Sequence, residues 1–110
     1  MRLYILLFAL AAAGTLSAQE GNADNGKKLF SKFGCYECHG YLGQGGGAGA
    51  KLAPKPISTA ALIAYVRHPS GTMPPYTSKV ATDAELADIR AYLASVPAPP
   101  ALKSIPLLNQ

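Results

Sequence analysis

The chain has 110 residues, 49% of them apolar, with 10 Lys and Arg against 6 Asp and Glu, a formal charge of +4. That balance is too apolar for a disordered chain and too charged for a membrane bundle, and the length allows one domain at most. The average hides an asymmetry, because fourteen apolar residues fall in the first eighteen positions.

Met1 and Arg2 precede an apolar run over 3–13, and small and polar residues follow to Ala18. A basic start, a compact apolar stretch and a small-residue exit read as a secretory signal peptide, 1–18, cut close to Ala18. The alternative is an uncleaved anchor. The run falls short of the roughly 20 apolar residues a spanning helix needs, and no stop-transfer flank follows it. An exported protein, periplasmic in a bacterium, is the expectation. Without 1–18 the chain keeps 9 Lys and Arg and 6 Asp and Glu, formally +3. A domain this small makes a thin core and often relies on a disulfide, metal or cofactor.

The domain is expected over 19–97, with a Pro-rich tail over 98–110. After a polar lead-in at 19–24, residues 25–33 read as a short helix with Leu29, Phe30 and Phe33 on one side. Gly34 stops it just before Cys35. Residues 43–50 read GQGGGAGA, a composition that supports only a tight loop. Ser58 or Thr59 caps a second helix through 67, with Leu62, Ile63 and Val66 as its apolar stripe and Pro69 beyond its end. Thr82 and Glu85 form a capping box for a third helix running to 95. Leu86, Ile89, Leu93 and Val96 share one face of it, and Pro97 ends it. No strand pattern and no repeat appear. The expectation is an all-α domain of three main helices joined by Gly- and Pro-rich loops.

Cys35-Tyr36-Glu37-Cys38-His39 is C-x-x-C-H, the attachment motif of c-type haem. Two thiols add to the two vinyl groups of the ring, and two intervening residues in a helical turn space them for it. His39 then falls under the iron. Three rival readings exist. A thioredoxin-type redox pair expects a βαβ context, which is missing. Structural zinc would need both His39 and His68, and His39 directly adjoins Cys38, a poor fit to the usual spacing. A Cys35–Cys38 disulfide loop suits an exported chain. Haem accounts for the motif, the export signal and a second ligand candidate together.

That second candidate is Met73, in G-T-M-P-P-Y, where the flanking residues forbid a helix and stiffen the loop. A stiff loop presents a thioether at little entropic cost. Its alternative role is filling a gap in the core. His68, just before Pro69, is the competing ligand; its plainer role is an exposed residue at a helix C-terminus. His/Met ligation raises the haem potential and fills both axial positions, which favours electron transfer over chemistry at the iron.

C-Y-E-C-H at 35–39, the H-G-Y-L-G-Q-G-G that follows, M-P-P-Y at 73–76 and D-A-E-L-A-D-I-R-A-Y-L at 83–93 together resemble the class I c-type cytochromes. The resemblance spans about residues 21–96. It implies the cytochrome c fold wrapped around one covalent haem c, with Cys35 and Cys38 as thioethers, His39 as proximal iron ligand and Met73 as distal one. It also implies a close crossing of first and last helices, with Gly26 and Phe30 facing Ile89 and Tyr92. Leu52 matches an apolar haem-packing position, and Tyr65 and Arg67 are candidates for the haem propionates. One departure is visible. Many members have Gly-Pro after the Gly-rich loop, with a backbone carbonyl accepting from the proximal His. Here Gly49 is followed by Ala50, which leaves Ala50 or a neighbour to supply that carbonyl.

The implied function is a one-electron carrier between exported redox partners, not an enzyme. Lys27, Lys28, Lys32, Lys51, Lys55 and Lys79 would suit acidic docking surfaces. Nucleic acid and a membrane span after signal cleavage are not expected. The alternative is a haem subunit or docking module of a larger oxidoreductase, weakly suggested by the tail. A third class, an open-iron enzyme or ligand sensor, predicts a five-coordinate spectrum.

Overall fold

The computed structural model describes residues 21–110, so the expected signal peptide lies outside the described residues. Four α-helices occur in this part: α1, Ala23–Lys32; α2, Cys35–His39; α3, Thr59–Arg67; and α4, Asp83–Ser95. Two short 3-10 turns, Leu102–Ser104 and Pro106–Leu108, lie in the tail. The described residues hold no strand, only an isolated bridge between Gly46 and Gly49 inside the glycine loop. The three main helices sit where the apolar periodicity puts them. The fourth is the C-x-x-C-H turn itself.

α1 begins two residues earlier than its apolar pattern indicates. Asn22 caps it, its side chain accepting from the Asn25 N–H. Asp88 of α4 adds to this cap, one carboxylate oxygen accepting from the Asn22 N–H at 2.6 Å and the other from Asn25 Nδ2 at 2.8 Å. The N-cap N–H and the Asn25 side-chain amide are thus both satisfied from a helix more than sixty residues away in sequence. α3 starts on the Ser58 cap, and α4 on the complete Thr82–Glu85 capping box.

The core is built where α1 and α4 cross. Leu29 and Phe30 meet Leu86, Ile89, Tyr92 and Leu93, with Leu62 and Val66 of α3 closing the side. Phe30 and Leu93 are almost completely buried. The rings of Phe30 and Tyr92 pack tilted, at 5.6 Å between centroids and 58° between planes, a geometry that suits the ring quadrupoles. Gly26 lets the helices come this close. A Cβ there would overlap the Asp88 carbonyl, so what Gly26 admits is the backbone of α4, one turn from the aromatic pair. That contact outweighs the helix-propensity cost of glycine.

Candidate functional site

The site is carried by α2 and by the loops on either side of α3. α2 is a helix of five residues bounded by Gly34 at φ 74° and Gly40 at φ 80°, a left-handed backbone that a side chain would resist. Its three-residue spacing puts Cys35 and Cys38 on neighbouring positions of one face. Both are free thiols; Cys35 is half-buried against the core and Cys38 is exposed. Burial pushes the Cys35 thiol up to about 11, so it stays protonated at neutral pH.

The glycine loop folds back over the end of α2. Gly49 N–H donates to the Cys38 carbonyl and Gly45 N–H to the His39 carbonyl, both at 2.8 Å. These bonds satisfy carbonyls that a helix end otherwise leaves open. His39 Nδ1 lies 2.7 Å from the Ala50 carbonyl oxygen. A carbonyl accepts only, so Nδ1 carries a proton in this contact, and in the neutral ring the lone pair is on Nε2. Ala50 is therefore the acceptor that the missing Gly-Pro leaves open in the sequence. Gly49 makes the approach possible, because a Cβ there would stand 2.5 Å from the Cys38 oxygen and 2.7 Å from His39 Nδ1.

Met73 and Leu52 are half-buried and pack against the same core cluster as Cys35. His68 is exposed at the C-cap of α3. The polar ends of Tyr65 and Arg67 are engaged within the protein. The Tyr65 hydroxyl meets Ser70 Oγ at 3.0 Å. Arg67 donates from Nη1 to the Tyr76 carbonyl at 2.9 Å and from Nη2 to Asp83 Oδ1 at 2.6 Å. Tyr76 is the residue whose importance the sequence pattern conceals. Its hydroxyl donates to the Phe33 carbonyl at 2.7 Å, and its ring packs against that of Phe33. Burial raises its phenol above the ordinary value. The only available signal was its place at the end of M-P-P-Y.

A mostly helical domain with an imidazole–carbonyl pair and two thiols on one helical turn defines a c-type cytochrome domain. The chain belongs to the family described as cytochrome c oxidase, cbb3-type, subunit III, a family of class I monohaem c-type domains, whose model matches residues 21–93. No curated protein and no solved structure matches the chain. The family binds covalent haem c with its iron, and its function is haem-based electron transfer.

The residues present fit that group. Two free thiols, an imidazole whose Nδ1 is engaged by a carbonyl and a thioether against the core form a donor set suited to thioether attachment and iron ligation. Gly49 packs its bare backbone against the Cys38 carbonyl and His39 Nδ1, where a Cβ would clash, and so keeps the imidazole seated on Ala50. Among the described residues no helix is long and apolar enough to cross a membrane.

Proposed function

We propose that the protein is an exported one-electron carrier with a single haem, attached through Cys35 and Cys38 and ligated by His39 and Met73. The observation that carries this reading is the His39–Ala50 hydrogen bond. A ligating histidine usually donates its other ring N–H to an oxygen, which fixes the tautomer and raises the basicity of the ligating nitrogen. His39 has that arrangement. When bound, haem supplies the ferric/ferrous couple.

The chain's own part is to orient and to shield. The α2 turn presents the thiols, the glycine loop holds the imidazole plane, and the core residues with Leu52 exclude water from the ring's surroundings. Domains of this family are typically exported, which agrees with a signal peptide at 1–18. Lys27, Lys28 and Lys32 are exposed along α1, and Lys51, Lys55 and Lys79 are exposed in the loops, a surface suited to acidic redox partners.

A second reading, a haem subunit of a larger oxidoreductase, rests on the tail. Its two 3-10 turns leave Leu102, Leu107 and Leu108 exposed, at 61–78% of their full area. Asn109 Nδ2 donates to the Lys103 and Ile105 carbonyls at 2.9 and 3.0 Å, so this apolar tip is held in shape by its own residues. The family's printed name, that of an oxidase subunit, points the same way.

Haem staining after denaturing electrophoresis tests the attachment. Wild-type protein matured in an exporting host should keep the stain. The Cys35→Ser, Cys38→Ser double variant should lose it. Wild-type protein without stain would overturn the reading.

A further inference from the structure

The loop that carries Met73 is fastened at both ends by α3. At its start Ser70 meets the Tyr65 hydroxyl. At its end Tyr76 is held four ways. Its N–H donates to the Val66 carbonyl at 3.0 Å, its carbonyl accepts from Arg67, its hydroxyl donates to Phe33, and its ring packs on the Phe33 ring at 6.3 Å between centroids. Arg67 is itself fixed, with a side chain only 17% exposed and ion-paired to Asp83, the first residue of α4.

Pro74 and Pro75 lie between this anchor and Met73. Each fixes its own φ and restricts the residue before it, so the position of Met73 follows from that of Tyr76 with few free dihedrals. The two prolines also have no N–H with which to pin the loop themselves. Phe33, the acceptor of the Tyr76 hydroxyl, stands two residues before Cys35. One hydrogen bond thus joins the segment bearing the thioether to the segment bearing the sulfur.

We propose that Arg67, Asp83 and Tyr76 form a positioning clamp that holds Met73 at the distal site and slows its replacement by other ligands. This gives Arg67 and Tyr65 roles as loop anchors in place of propionate contacts. The proposal rests on Met73 being the distal ligand.

The test uses the ferric holoprotein, with imidazole as the competing ligand. At saturating imidazole the binding rate reports how often Met73 leaves the iron. Tyr76→Phe removes one hydroxyl and Arg67→Lys removes the forked geometry. Each should raise that rate about tenfold, the effect of one lost hydrogen bond. Each should also weaken the sulfur-to-iron charge-transfer band. Arg90→Lys is the control, because Arg90 Nε makes a comparable bond to the Ile57 carbonyl at 3.2 Å, away from this loop. It should leave the rate unchanged.

If Tyr76→Phe does not fold, Arg67→Lys decides alone. Rates equal to wild type, or an equal rise in Arg90→Lys, would overturn the clamp while leaving Met73 as ligand. A wild-type protein without the charge-transfer band, binding imidazole as fast as Met73→Ala, would overturn the Met73 reading itself.

Discussion

His39 Nδ1 lies 2.7 Å from the carbonyl oxygen of Ala50, and Gly49 beside it has no room for a side chain. Contact and glycine form one device. The loop must lie close enough for its carbonyl to reach the ring, and only a residue without Cβ permits that.

Gly49→Ala should therefore disturb fold and site together. Its new carbon meets the Cys38 carbonyl, which is itself bonded to the Gly49 N–H and cannot swing away. Overpacking of this kind costs about 1–3 kcal/mol. Denaturant unfolding of the holoprotein should show a lower midpoint with an unchanged slope.

Gly26→Ala sets two effects against each other. Alanine gains about 1 kcal/mol of helix propensity over glycine. Against that, the added carbon overlaps the Asp88 carbonyl, a backbone atom within α4 that is less able to yield than a side chain. A penalty near the upper end of about 1–3 kcal/mol should win. Thermal unfolding should show net destabilisation; a more stable variant would mean the α1–α4 crossing is looser than described.

Much of this frame was legible in the sequence, for local reasons. The α4 capping box is built from residues three apart, and the face of Leu86, Ile89 and Leu93 follows one helical period. C-x-x-C-H carries its chemistry within five residues. What stayed hidden depends on distant partners. The Asn22 cap of α1 is local, but the Asp88 carboxylate that braces it comes from α4, and the acceptor for His39 is decided by loop path, which selects Ala50 over its neighbours. The helix crossing at Gly26 is implied by the resemblance, but that backbone atoms of Asp88 fill the contact is visible only in the structure. Arg67 and Tyr65, candidates for the haem propionates in the sequence, bond to the two ends of the Met73 loop, which no spacing rule encodes.

The exposed lysines predict a salt effect. If they steer docking to acidic partners, the bimolecular electron-transfer rate with the native partner should fall as ionic strength rises through the range where the Debye length is about 10 Å. A flat profile would reject steering.

The tail makes a separate prediction. Its two 3-10 turns pack on each other and on none of the helices. Ending the chain after Pro99 should therefore change the unfolding free energy by no more than about 0.5 kcal/mol. In the subunit reading, the same truncation abolishes co-purification with the partner. A large loss of stability would show that the tail serves its own domain.

Absorption spectra of the holoprotein, oxidised and reduced, beside those of Met73→Ala, decide whether one covalent haem is held between His39 and Met73. Ligation by His39 and Met73 should give a low-spin c-type spectrum with a sulfur-to-iron charge-transfer band that vanishes in Met73→Ala and persists in His68→Ala. A five-coordinate high-spin wild-type spectrum, or a band that survives the loss of Met73, would contradict it.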